Sequence, residues 1–212
     1  MKILVFGATG GTGIQVVQQA LDKSFEVTAF VRNPNKLKIS NANLKVVQGD
    51  VLQQSSIDKI IAEHDAVICC IGAPATKTGQ LRSSGTKNII NSMQKNGVQR
   101  FICQTSLGFG DSEIVLQYTP FVFRKIVVPY LLKKAFEDHL LQEIFVKQSN
   151  LNWTIVRPGT MTNGKFTGNY KHGFQYSDNK LKVKVSRADV ADFLIKQISS
   201  NQYQNKVTGI SY

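Results

Sequence analysis

The sequence predicts an α/β fold: a doubly wound parallel sheet with helices on both faces. Three observations predict it. Short β-rich runs alternate with apolar residues at helical spacing across positions 1–105. The run at 66–71, AVICCI, is apolar throughout, as a strand buried on both faces requires. A glycine-rich turn, GATGGTG at 7–13, joins the first run to the first helical pattern. At 212 residues the chain suits one such domain and is short for two.

The elements follow in order. Residues 2–6 form the first strand, and Ile14, Val17, Ala20 and Leu21 mark the first helix. Strands are expected at 26–32, 44–47, 66–71 and 100–105, with a helix at 85–96 before the last of these. The stretch 107–120 carries Gly108, Gly110 and Asp111 and reads as a loop over a site. A helix is expected over 129–147 and a strand over 153–156, closed by Arg157-Pro158-Gly159. The Gly-, Asn- and Thr-rich excursion at 160–180 is of a kind that lines pockets. A helix at 186–198 has Ser186 as its cap and Asp189 in its first turn. A strand at 207–212 ends the chain. No repeat or linker interrupts it, so one domain, 1–212, is expected.

Hydrophobic residues make 42% and charged residues 19% of the chain, which excludes a disordered or fibrous protein. Cys69, Cys70 and Cys103 lie in apolar runs and cannot build a disulfide framework, which points to a reducing compartment. The first apolar run is too short for a signal peptide, and none approaches the ~20 residues that span a bilayer. A cytoplasmic monomer without integral membrane association is expected. Half of the net charge of +12 falls after residue 150, spread over Lys165, Lys171, Lys180, Lys182, Lys184, Lys196 and Lys206. These cations form no block and have no interleaved aromatic pattern, which argues against nucleic acid and for a solvated surface or an anionic small molecule.

The turn at 7–13 follows a strand and opens a helix, the context in which glycines let backbone N–H groups approach a diphosphate. Its spacing is G-x-x-G-x-x-G. A dinucleotide site is therefore expected. An NAD site would place an acid at the end of the second strand, but no acid occurs between Glu26 and Asp50. Arg32 stands there instead, with Lys36 nearby and Thr12 adding a hydroxyl. A planar, permanently charged guanidinium suits a 2′-phosphate, so the expected cofactor is NADP (NADPH).

The stretches FGATGGTG (6–13), VTAFVRNPNKL (27–37), GDVLQ (49–53), GTKNII (85–90), GVQRFICQTS (97–106), EDHLLQE (137–143), TIVRPG (154–159) and SRADVADFL (186–194) span nearly the whole chain. Together they resemble the atypical short-chain dehydrogenase/reductase superfamily, a Rossmann-like fold, and within it the biliverdin-IXβ reductase/flavin reductase group. The resemblance implies that Gly7, Thr9, Gly10, Gly11, Thr12 and Gly13 hold the diphosphate, and that Arg32 and Lys36 hold the 2′-phosphate. It implies Asp50 and Val51 beside the adenine, Gly72 and Ala73 along the ribose and phosphates, and Pro158 at the nicotinamide amide. It places Ser106 and His139 at the nicotinamide and acceptor, as the candidate catalytic residues. Where the named reductases carry a histidine after a proline pair, this chain has Thr160. No metal is implied.

Ordinary members of that superfamily use Tyr-x-x-x-Lys on one helix to move the carbonyl proton. Tyr130 and Lys134 fit the spacing, but counting back from Glu143 and Arg157 puts those two places on Ala135 and His139. A conjugated acceptor can delocalise the charge that a hydride brings, so it needs mainly proximity and orientation. The expected function is NADPH-dependent reduction of a flavin, which is substrate rather than tightly bound cofactor, or of biliverdin or another conjugated acceptor. The alternatives are an NADP-binding redox sensor or assembly factor without catalysis, and a sugar-nucleotide epimerase or ketone reductase using Tyr130/Lys134. The segment 121–136, apolar with basic residues, is expected to serve as a pocket lid and core helix, the alternative being a surface that docks on a partner or a membrane.

Overall fold

The computed structural model describes residues 1–74 and 79–212. Eight strands form one sheet in the order β3-β2-β1-β4-β5-β6-β10-β8. They are β1 (Lys2–Phe6), β2 (Glu26–Val31), β3 (Leu44–Gln48), β4 (Ala66–Cys69), β5 (Arg100–Gln104), β6 (Asn152–Pro158), β8 (Lys171–His172) and β10 (Lys206–Ser211). All neighbours run parallel except β8, which pairs antiparallel with β10. A separate parallel pair joins β7 (Thr160–Thr162) to β9 (Lys184–Ser186).

Strand periodicity divides the core in two. Ile3 and Val5 face α1 (Gly11–Asp22) and α5 (Arg187–Lys196), in a cluster with Val16, Val17, Ala20, Val190 and Phe193. Leu4 and Phe6 face the other layer, with Ile89 and Met93 of α3 (Leu81–Lys95) and Val146 of α4 (Lys133–Gln148). The chain turns back at β1, so β2 and β4 flank it, and the crevice at the carboxyl ends of β1 and β4 is the switch point where such sheets hold ligands.

Several elements differ from expectation. The helix expected at 85–96 begins at Leu81, because its start is capped from outside by Asp138 rather than by a residue of its own. The loop at 107–120 coils into a 3₁₀ segment, Gly110–Tyr118. Helix α2 (Gln54–Asp58) and strands β7, β8 and β9 are additional. Pro129 does not begin a helix but lies inside a wide one, Phe123–Leu132, that runs into α4. An ordinary helical turn would drive the proline ring into the carbonyl of residue i−4, and a widened turn relieves that clash. No residue of this segment is buried, so it is not the core helix expected there.

Two buried charges tie the later half to the sheet. Asp189 accepts from Thr167 N, Thr167 Oγ1 and Gly168 N, each at 2.9 Å, which pins the 160–180 excursion to α5. Ser186 caps α5 as expected, accepting from Asp189 N at 3.0 Å. Arg157, 2% exposed, donates from Nε and Nη2 to the two oxygens of Glu143 at 2.8 and 2.7 Å. Its Nη1 reaches Asp111 at 2.6 Å, and its guanidinium lies over Phe109. Thr105 Oγ1 also donates to Glu143, at 2.9 Å. This network joins β5, β6, α4 and the 107–120 segment. Burial works against both charges, yet the pairing raises the Arg157 pKa and lowers that of Glu143.

Removing one partner of a buried pair strands the other. Glu143→Ala is therefore expected to lower the unfolding free energy by about 3–5 kcal/mol. Asp111→Asn, at the exposed end, is expected to cost no more than about 1 kcal/mol. Urea denaturation at neutral pH checks both, and equal losses would show that the buried pair carries no special weight.

Candidate functional site

A cavity of about 480 Å³ opens at the switch point. Gly7 ends β1 with φ +77°, and a Cβ there would strike the carbonyl of Cys70. Gly10 caps α1 and its N–H donates to Gly7 O at 2.9 Å. The α1 start has no side-chain cap and no acid in its first turn, so its N–H groups and positive dipole end face the cavity unopposed. A Cβ on Gly11 would fall 2.7 Å from Cδ of Arg187, whose side chain lies flat across the loop and donates from Nη1 to Asn163 Oδ1 at 2.7 Å. This glycine cradle beneath a cation fits a diphosphate.

The cavity gathers Gly7, Thr9, Gly10, Gly11, Thr12, Arg32, Lys36, Val51, Gly72, Ala73, Ser106 and His139. Arg32 and Lys36 are exposed. Asn33 holds the short turn carrying Lys36 by accepting from Asn35 N at 3.0 Å. Three expected residues do not line the cavity. Gly13 serves packing instead, since a Cβ there would collide with Gly7 O as α1 crosses the loop. Asp50 accepts from Leu52 N at 2.9 Å and closes a turn. Pro158 is buried in β6 opposite Ile210, and its carbonyl accepts from Leu107 N at 2.9 Å.

A second cavity of about 270 Å³ adjoins the first and shares Ala73, Arg82, Ser106, His139 and Met161 with it. Its remaining wall is mostly apolar, with Leu107, Val115, Leu116, Phe123, Leu132, Ala135, Phe136 and Val183. Ser106 is half-buried, and its Oγ donates to Leu107 O at 3.0 Å. Of the 160–180 excursion only Thr160 and Met161 reach this chamber. Val183 sits there at φ +47°, a left-handed conformation that is costly for a β-branched residue. Tyr130 is 80% exposed and lines neither cavity, and Lys134 is exposed too, so the Tyr-x-x-x-Lys spacing does not build a site.

His139 is held by α3 and α4 together. Its neighbour Asp138 accepts from Arg82 N at 3.0 Å, Ser83 N at 2.9 Å and Ser83 Oγ at 2.6 Å, capping α3 from α4. The Gln142 amide nitrogen donates to Thr86 Oγ1 and Cys103 Sγ, which turns its oxygen toward His139. Nδ1 of His139, 3.0 Å away, therefore carries the proton, and Nε2 keeps its lone pair. Burial, reinforced by the Arg82 charge, pushes the imidazole pKa down to about 4. At neutral pH the His139 ring is therefore uncharged.

Sequence reasoning passed over Arg187, Arg82, Gln104, Met161 and Phe30, which also line the first cavity. Arg187 stood inside a quoted motif, but only the packing of α5 on α1 lays it over Gly11.

The low pKa of His139 makes stability depend on pH. Unfolded, the ring takes a proton near pH 6.5; folded, it does so only near pH 4. Between those values the unfolded chain binds the extra proton, so stability falls as the pH falls, by roughly 3 kcal/mol from this group. The unfolding free energy of the wild type minus that of His139→Asn is expected to shrink by that amount from pH 7 to pH 4. A constant difference would refute the buried neutral ring.

The sequence pattern of the NAD(P)H-binding family matches residues 7–201. An uncharacterized chloroplastic protein of Arabidopsis thaliana, At2g34460, is 29% identical over 99% of this chain and 76% of its own length. The photosystem II assembly factor Ycf39 of Synechocystis is 24% identical over 97% of this chain and 61% of its own. Among solved structures, ChuY of Escherichia coli O157:H7, described as an anaerobillin reductase, superposes with a TM-score of 0.80 at 23% identity, over 99% of this chain and 96% of that one. A Veillonella parvula short-chain dehydrogenase/reductase in complex with NADP gives 0.77 at 17% identity, over 100% and 94%. Identities this low show the shared fold; the match from the glycine loop through α5 shows that the chain belongs to the NAD(P)H-binding family.

Proposed function

We propose that the protein is a single-domain NADPH-dependent reductase whose acceptor is a conjugated molecule: a flavin, a bilin or a quinone-like compound. The observation that carries this is the inventory of the acceptor chamber. Among its described residues the polar groups are the Ser106, Thr119 and Thr160 hydroxyls, the Arg82 guanidinium and the neutral His139 ring, and no tyrosine lines it. A carbonyl substrate would need a proton donor in the transition state, worth about 10²–10⁴ in rate. A conjugated acceptor spreads the incoming charge and takes its proton from water.

The α1 N-terminus and its glycines would hold the diphosphate, with Arg187 above it. Arg32 and Lys36 would hold the 2′-phosphate, where a planar fork and a point charge meet a dianion. Gly72 and Ala73 leave room beside the ribose, and Val51 offers an apolar wall to the adenine. The bound nicotinamide supplies the hydride. Ser106, directly after β5, would orient the ring or the acceptor, while His139 Nε2 would accept a hydrogen bond from an N–H of the acceptor. The apolar wall from Leu107, Leu116, Phe136 and Val183 would exclude water and pack against a flat ring system. The assembly-factor relative favours a second reading, in which the same cradle binds NADP and transfers nothing.

Anaerobic stopped-flow oxidation of NADPH against FMN, riboflavin, biliverdins and quinones tests the proposal. Rapid oxidation by at least one is expected, with Tyr130→Phe within a few-fold of wild type. Tight NADPH binding with no turnover across the panel would leave the sensor reading instead. A loss of about 10²-fold or more in Tyr130→Phe would restore a tyrosine general acid. Arg32→Ala is expected to weaken NADPH by about 1.5–3 kcal/mol and NADH far less. Equal wild-type affinity for the two nucleotides, measured by titration calorimetry, would overturn the assignment of NADP.

A further inference from the structure

The helix Phe123–Leu132 and the residues leading into it leave large apolar side chains in solvent. Phe121 is 66% exposed, Ile126 52% and Leu131 49%. Phe121 lies just before the wide helix and Ile126 and Leu131 within it. The exposed apolar series continues on α4 with Leu140, Leu141 and Ile144. Single exposed apolar residues are ordinary, whereas a run of this extent marks an interaction surface. Cations are interleaved with it: Arg124, Lys125, Lys133 and Lys134, with no acidic residue between Glu113 and Glu137. Among the described residues none of the four forms an ion pair.

We propose that this face docks on the surface of an anionic phospholipid bilayer. Charge complementarity selects that occupant. Two copies of the chain meeting through this patch would bring like charges against each other across a two-fold axis. A bilayer meets both halves of the pattern: acidic headgroups face the cations while Phe121, Ile126 and Leu131 enter the boundary with the acyl chains. No helix among the described residues is long and apolar enough to cross a membrane, so this segment lies in the interface plane. Phe123 and Leu132 also wall the apolar chamber, so docking turns that wall toward the lipid. The inference stands on this surface alone and does not depend on the reductase reading.

Flotation of the full chain with vesicles, without nucleotide or acceptor, tests it. Vesicles of phosphatidylcholine alone are compared with vesicles containing phosphatidylglycerol. Partitioning is expected to be at least about tenfold stronger on the anionic vesicles and to fall steeply as salt is raised. Ile126→Asp with Leu131→Asp, and separately Lys125→Glu with Lys133→Glu, are each expected to reduce it about tenfold with the thermal unfolding midpoint unchanged. The lysine pair is wholly exposed, so it keeps the test sound if the aspartates disturb folding. No partitioning, equal partitioning on both vesicle types, or variants that float like the wild type would overturn the inference. So would a wild-type dimer in light scattering that becomes monomeric in Ile126→Asp, which would give the face to a second copy.

Discussion

The buried pair of Arg157 and Glu143 is the constraint on which the carboxyl edge of the sheet depends. A guanidinium inside the protein is costly unless each of its donors is answered, and here the answers come from three directions. Glu143 fixes α4, Asp111 fixes the segment after β5, and Phe109 closes over the flat face. Because Glu143 also receives Thr105, the residue just before Ser106 is tied to the same point. His139 stands four residues, roughly one helical turn, before Glu143, so the two chamber groups share one rigid origin. A network of this kind gives position rather than large net stability.

The chamber built on that origin is polar at one end and apolar at the other. The polar end is furnished by the backbone and by cations at β1 and β2. The apolar end is furnished by segments from the second half of the chain. The cradle therefore speaks for a nucleotide, while the chamber speaks for the character of an acceptor but not for its identity.

Much of the first half was legible in the sequence because β1, β2, β4 and β5 are β-branched runs whose burial leaves them no other role. The glycine loop was legible because its spacing, its strand and its helix agree. What sequence could not show is partnership across long separations. Nothing in the spacing shows that Asp138 caps α3 from α4, or that Asp50 closes its own turn through Leu52 N. The same holds for Gly13, whose role is one of contact between α1 and the loop. The neutral state of His139 comes from its burial and the Arg82 charge, and its tautomer from Gln142, whose orientation is fixed by residues from α3 and β5. The wide helix at Phe123–Leu132 was hidden because apolar spacing is read in turns of ordinary width.

The helix starts along the carboxyl edge carry a further consequence. The starts of α1, α3 and α5 border the first cavity, and two of them have their open N–H groups already answered from within. Asp138 silences α3, and Ser186 with Asp189 silences α5. Of these three, α1 alone is left bare. Each helix start is equivalent to about half a positive charge, so three bare ends would spread a diffuse pull over the whole rim. By neutralising two of them internally, the protein contracts that pull to one point. Anion selectivity in this cavity is thus achieved by subtraction: the acids at α3 and α5 act as a mask that leaves one landing place among the three.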